Sequence, residues 1–345
     1  MLTEKQIKEI REHLEKAQNP VFFFDNDPDG LCSFLLLQRY IERGKGVPVK
    51  SFPDLSSEYF RKVKELNADY IFILDKPIIS KDFWGKIEQI NLPVVWIDHH
   101  ELQVEVPKFV NYYNPLYNIE KTNEPVSVLC YQITNKKDDL WIALVGAISD
   151  KFFPDFYPEF KKKYPDLACD SKDAFEILYK SGIGKVAKLF DSGLKDKISN
   201  SIMMLKFLMK VKSPYEVLEE SKGNFLMHKR FDQIEKRYQR LMKEAVDSFS
   251  PKDKILFFQY GGDLSISAEL SNELSYRFPG KYVVVMYMKG IKANISARGK
   301  NVKAKLLKSI EGIKDATGGG HEDAVGAQVK IEDLELFRKR FSELV

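Results

Sequence analysis

The sequence predicts a two-domain α/β protein, and three observations carry that expectation. Short, uniformly apolar runs alternate with helical patterns over residues 19–150. A long charged helical pattern then leads away from them, and beyond it the chain turns to a second, smaller set of strands and helices. Runs that are apolar throughout suit a parallel sheet covered by helices on both faces, because neither face of such a strand meets water. The boundaries read as a first domain over 1–220, a helical linker over 221–250 and a second domain over 251–345.

Taken in order, the first element is TEKQIKEIREHLEKA, an amphipathic helix opened by Thr3 with Gln6 as its capping-box partner. Four strands follow as PVFFFD (20–25), VPVKSF (47–52), YIFILD (70–75) and PVVWID (93–98), three of them ending in aspartate. Open α/β sheets bind ligands beyond the carboxyl ends of their strands, so Asp25, Asp75 and Asp98 are expected at one edge. The middle of the chain is helical, through LWIALVGAISD (140–150), DAFEILYKSGIGKVAKLF (173–190) and NSIMMLKFLMKV (200–211). The charged pattern over 216–249 is interrupted near Gly223-Asn224, and its later part is the linking helix. After Ser250-Pro251 come KILFFQY, the helix ISAELSNELSYRF, KYVVVMY, IKANISAR, a helix near 302–310, TGGGHEDAVGAQV and a terminal helix. No internal repeat or low-complexity tract interrupts this order.

The 345 residues, 44% hydrophobic and 30% charged, suffice for two packed cores. A formal charge of +4 favours a polyanionic partner only slightly. Cys32, Cys130 and Cys169 lie far apart without C-x-x-C spacing, which points away from disulfides and thiolate zinc and toward a reducing cytoplasm. No apolar stretch approaches membrane-spanning length, so neither export nor membrane insertion is expected. The abundance of Lys, Glu and Ile suits a thermophile.

Asp25, Asp27, Asp29 and Gly30, within FFFDNDPDGL, match the opening of a calcium-binding EF-hand loop. Such a loop requires a bidentate glutamate where Leu36 stands, and a helix where the apolar run Val21–Phe24 reads as a strand. An ordinary strand-ending turn remains open for the motif in isolation. Three further signals occur in chain order: Asp75 closing YIFILD, Asp98-His99-His100 after PVVWI, and Asp150 closing GAISD. Each alone is more often a cap, a turn or a surface histidine. Together they gather carboxylates and imidazole on one edge, where unpaired carboxylates repel and bound divalent cations remove the cost. Oxygen-rich sites with one or two imidazoles suit Mn²⁺ or Mg²⁺. Two such ions roughly 4 Å apart stabilise the attacking and leaving oxygens of a displacement at phosphorus.

With these motifs the chain resembles the DHH phosphoesterase superfamily, named for the triplet present here as Asp98-His99-His100. ISARGKN (295–301) and GGGHEDAVGA (318–327) resemble the second, substrate-binding DHHA1 domain of that superfamily. The resemblance implies a hydrolase using two Mn²⁺ or Mg²⁺ ions, with its active site in a cleft between the domains. Asp25, Asp27 and Asp29 correspond to metal ligands of the first motif, Asp25 having the weakest claim to direct contact. Asp75 corresponds to a bridging ligand, and His99 and Asp150 complete the set, while His100, with Asp98 of the same triplet, would act on the scissile phosphate. Arg298 and His321, with the N–H groups of Gly318, Gly319 and Gly320, would hold a substrate phosphate.

The D-x-D-x-D-G motif is similar to that of RecJ-type single-strand exonucleases, while the compact two-domain size is similar both to archaeal RecJ-like nucleases and to the small-substrate branch of oligoribonuclease, pAp phosphatase and pyrophosphatase relatives. The small-substrate branch usually has His where Asp25 stands and Asp where Leu31 stands. The oligonucleotide-binding domain and C-terminal extension of bacterial RecJ have no counterpart in the sequence, so cleavage polarity does not carry over. The resemblance therefore implies an exonuclease acting on single-stranded nucleic acid, on DNA first and on RNA second, in replication or repair. A protein partner such as a helicase and a homo-oligomer stay open. The rival within the class is an oligoribonuclease, pAp phosphatase or cyclic-dinucleotide phosphodiesterase. The rival outside it is an inactive Cdc45-like replication scaffold, against which the retained Asp27, Asp29, Asp75, His99 and Asp150 argue. Directly after Asp150, KFFPDFYPEFKKKYP (151–165) mixes six aromatic residues with four lysines, as a single-strand track does. An irregular insertion whose rings pack on the sheet edge is favoured over that track.

Overall fold

A computed structural model describes residues 1–50, 54–250 and 252–345, so Ser51-Phe52 of the second expected strand, and Pro251, lie outside the described residues. The chain divides into two compact units, Met1–Phe231 and Asp232–Val345.

In the first unit, helix α1 (Glu4–Lys16) begins with the expected reciprocal cap between Thr3 and Gln6. Strand β1 (Pro20–Asp25) runs directly into helix α2 (Pro28–Ile41), and β2 (Lys45–Val49), β3 (Tyr70–Leu74) and β4 (Val94–Ile97) follow. A fifth strand, β5 (Val110–Tyr113), was not expected, because VNYY shows neither an apolar run nor alternation. The five pair in the order β2-β1-β3-β4-β5, all parallel. Both faces are covered. Phe22, Phe24, Phe72 and Leu74 belong to one apolar layer, and Val21, Phe23, Ile71 and Ile73 to the other. Helices α3 (Val126–Thr134) and α4 (Leu140–Ser149) pack on α2 within the first of these layers.

The 151–165 segment packs its rings as expected, but its middle is a regular helix and not an irregular insertion. It forms a helix over Tyr157–Lys163, and Tyr157, Phe160 and Tyr164 are buried in the layer that holds α2, α3 and α4. Lys161 pairs with Asp170 at 2.6 Å and Lys163 with Asp138 at 3.1 Å.

Helix α5 (Phe225–Asp247) carries the chain from the first unit into the second. There β6 (Ile255–Gly261), α6 (Ser267–Arg277), β7 (Tyr282–Lys289), β8 (Lys292–Arg298), α7 (Val302–Ile310), β9 (Thr317–His321), β10 (Ala324–Lys330) and α8 (Leu334–Glu343) follow. The sheet order is β9-β10-β8-β7-β6, parallel only between β6 and β7. Among the described residues no helix is long and apolar enough to cross a membrane.

Candidate metal centre

The carboxyl edge of the first sheet collects acidic side chains by three local devices. The first is the β1–α2 junction. Asp25 is the last residue of β1, and Asp27 caps α2, accepting the Gly30 N–H at 2.9 Å. Asp29 sits in the first turn of α2, where a helix N-terminus favours negative charge. Gly30 has to be glycine, because a Cβ there would lie 2.5 Å from the Asp25 carbonyl oxygen. Asp29 is fully buried and accepts from the Val126 N–H at 2.8 Å, the Ser127 N–H at 3.1 Å and the Ser127 hydroxyl. Its carboxylate is thus held by the first turn of α3.

The second device is the exit from β3 and β4. Asp75 adopts a left-handed conformation with φ of 57°, which Asp tolerates better than most residues, and its N–H donates to the Ile97 carbonyl at 3.0 Å. The Asp98 N–H donates to the Tyr113 carbonyl at 3.1 Å, so the unexpected β5 anchors the triplet. Asp98 accepts from His100 Nδ1 at 2.9 Å, while Asn114 Nδ2 donates to the His100 carbonyl at 2.8 Å. His99 Nε2 reaches Asp75 at 3.4 Å and Asp150 at 3.5 Å. The third device is the C-cap of α4, which supplies Asp150, so that ligand candidate comes from a helix end rather than a strand end.

The donor atoms of Asp75, His99 and His100 lie within 4.8 Å of one another, as do those of Asp29, His99 and Asp150, and those of Asp25, Asp27 and Asp75. Asp75 Oδ1 and Asp98 Oδ2 are buried without a hydrogen-bond partner. Buried carboxylate oxygens of that kind are costly unless a cation or proton arrives, and oxygen with imidazole donors fits Mn²⁺ or Mg²⁺. The titration behaviour agrees. Burial, then the charges of Asp75, Asp25, Asp150 and Asp29, hold Asp27 well above the usual carboxylate range. Burial, then Asp29, raises Asp75 likewise, and burial with Asp150 pushes Asp29 up to about 6. Burial would lower His99, but Asp150, Asp29, Asp98 and Asp27 outweigh it and raise it. His100 is raised against burial by Asp98 and Asp75. The cluster draws in positive charge.

Residues 252–345 match the family model of the DHHA1 domain. A sequence comparison with curated proteins finds no match. Among solved structures, RecJ of Thermus thermophilus in complex with Mn²⁺ is similar over 99% of this chain and 54% of its own, at 14% identity and a TM-score of 0.73. This chain thus spans about half the length of that RecJ. A second structure, exonuclease RecJ bound to manganese, matches over 99% of this chain and 94% of its own, at 14% identity and a TM-score of 0.69. The chain has the DHH/DHHA1 fold. A pGpG-specific phosphodiesterase from Vibrio cholerae shares it over 94% of this chain and 98% of its own, at 15% identity and a TM-score of 0.52.

In the DHHA1 unit, Arg298 ends β8 and donates through Nε to Asn272 of α6 at 2.6 Å. Arg298 and His321 are both cross-strand partners of Ala324, so they share one row and one face of the sheet, about 10 Å apart. Gly318, Gly319 and Gly320 lie in the extended strand β9 and not in a turn. Successive N–H groups of an extended strand point to opposite edges, so the three do not converge on one anion as they stand.

In the DHH unit two groups escaped sequence reasoning. Ser127 lies in VSVLCYQIT, an apolar stretch without helical spacing. Lys76 follows Asp75, is completely buried, and places Nζ 2.8 Å from Asp25 Oδ1. A lysine beside a strand-terminal aspartate carries no signal that its side chain turns inward. Gly146 of α4 also has a place at the centre, since a Cβ there would collide with the Ser127 hydroxyl and lie 3.0 Å from Asp29 Oδ1.

Proposed function

We propose that this chain is a divalent-metal-dependent phosphodiesterase that removes nucleotides from the ends of single-stranded nucleic acid. The observation that carries this is the convergence of three ligand triads, with orphaned oxygens on Asp75 and Asp98, at the carboxyl edge of the parallel sheet. Asp27, Asp29, Asp75, His99 and Asp150 would hold Mn²⁺ or Mg²⁺, and two ions fit the number of carboxylates. Bound metal supplies Lewis-acid stabilisation of charge at phosphorus and lowers the pKa of bound water. Asp98 orients the His100 imidazole through Nδ1, and His100 so held would act on the scissile phosphate. Arg298 and His321 would grip a second phosphate, Arg298 being held in place by Asn272. The manganese complexes named for two similar structures support the choice of metal.

The match to the pGpG-specific phosphodiesterase, nearly complete over both chains, favours a second reading in which dinucleotides are the substrate. The test offers the purified chain, with Mn²⁺, single strands labelled separately at each end, a duplex, and the dinucleotides pApA and pGpG. Strands longer than about ten nucleotides should be shortened faster than either dinucleotide, and the duplex slowly, because unpaired ends expose base faces and backbone together. Faster hydrolysis of a dinucleotide at equal concentration would replace the exonuclease by the second reading. No hydrolysis of any of them would overturn both.

A further inference from the structure

Lys76 is the side chain at this centre that the metal-binding residues leave unexplained. It is completely inaccessible, and Nζ lies 2.8 Å from Asp25 Oδ1. Burying an ammonium is costly unless it is paired and hydrogen-bonded, so this contact is not a surface pair that happened to fold inward. The backbone enforces the position. Asp75 turns the chain through a left-handed conformation, the Trp96 indole N–H donates to the Lys76 carbonyl at 3.1 Å, and Pro77 biases Lys76 toward extended backbone. A buried cation is therefore built into the first motif, beside one of the three carboxylates that share the Asp25–Asp27–Asp75 position.

We propose that Lys76 is a resident cation of the centre, holding Asp25 as its counter-charge, so that the Asp25–Asp27–Asp75 position takes a divalent ion much more weakly than the Asp29–His99–Asp150 position. The inference rests on reading the cluster as a divalent-metal centre. An ion drawn to Asp25, Asp27 and Asp75 meets a positive charge already bound to one of its carboxylates, and like charges a few ångströms apart in a half-buried site, where water screens them only in part, repel. At the other position Asp29 is held by amide and hydroxyl donors, which add no net charge. Lys76 is thus a positioning residue that sets the order in which the ions enter, and Asp25 is its partner before it is a metal ligand.

The test titrates the full chain with Mn²⁺ alone, followed by calorimetry and by electron paramagnetic resonance of the free ion. The unmodified chain should show two classes of Mn²⁺, the weaker at least about tenfold below the tighter, as a unit charge a few ångströms away in a partly dry site requires. Lys76→Met removes the charge and keeps the length. It should tighten the weaker class by about tenfold or more and leave the tighter one within about threefold. Lys76→Gln, which keeps a donor toward Asp25, should do the same and serves if the methionine variant does not fold. Adding Asp25→Asn to either variant should abolish the gain. Two equal classes in the unmodified chain, or unchanged or weakened binding in both Lys76 variants, would overturn the inference while leaving the metal centre intact. Absence of any Mn²⁺ binding by the unmodified chain would instead remove the metal centre itself, and the inference with it.

Discussion

At the scale of single residues, two aspartates of the centre differ in what their loss does. Asp75 has an oxygen without a hydrogen-bond partner and is crowded by other carboxylates, so Asp75→Asn, which removes the charge and tolerates the left-handed turn, is expected to abolish hydrolysis while the metal-free protein melts no lower than the parent. Asp29 is the acceptor for the first turn of α3. Asp29→Ala strands the Val126 and Ser127 donors, each worth about 1–3 kcal/mol when buried and unsatisfied, so activity and several degrees of melting temperature should go together. Proton linkage gives a third expectation. Asp29 titrates in the folded chain at about 6, above its ordinary value, and Asp27, Asp75, His99 and His100 are raised as well. A group raised in the folded state binds protons more tightly there, so its contribution to stability falls as pH rises from the unfolded to the folded pKa. The metal-free protein should lose melting temperature between pH 5 and pH 7.5, and saturating Mn²⁺ should flatten that slope. Melts in chelator and in Mn²⁺ check it, and an identical slope in both would mean that these groups do not meet the ion.

At the scale of elements, the centre depends on backbones that approach too closely for any side chain. A methyl group at Gly30 would separate α2 from the end of β1, and one at Gly146 would push α4 off the Ser127–Asp29 pair. Gly30→Ala and Gly146→Ala are each expected to cost about 1–3 kcal/mol and to weaken Mn²⁺ binding, since overpacking here displaces ligands. Gly85, inside helix Lys81–Ile90 with open space beside it, is the control: Gly85→Ala should stabilise by roughly 0.5–1 kcal/mol and leave Mn²⁺ affinity alone. Calorimetric melting with Mn²⁺ titration of the three variants separates the cases. The strong strands were plain from their apolar runs because both faces are buried. By contrast β5 was invisible, since it is an edge strand of mixed residues recruited by pairing with β4. TGGGH reads as a turn and forms a strand for the same reason, because β10 supplies the partner that its glycines do not prefer by themselves.

At the scale of the whole molecule, the proposed metal ligands lie in Met1–Phe231 and the residues proposed to grip a phosphate, Arg298 and His321, in Asp232–Val345. Arg298→Ala should bind Mn²⁺ as the parent does yet hydrolyse strands about tenfold to hundredfold more slowly, the worth of a charge-assisted bond to phosphate. A small ester without a remote phosphate should be far less affected, and equal losses on both substrates would move Arg298 into the catalytic group. Four of the five strands of the first sheet, the aspartates at the ends of three of them and the DHH triplet were legible in the chain, because they depend on local apolar patterning and on neighbours within a few residues. Lys76 against Asp25, Ser127 and Val126 against Asp29, and the shared row of Arg298 and His321 were not. Those pairs are separated by 23 to 98 residues. Such contacts arise from sheet register, helix packing and one left-handed turn at Asp75, and no local periodicity records which distant partner a buried charge will meet.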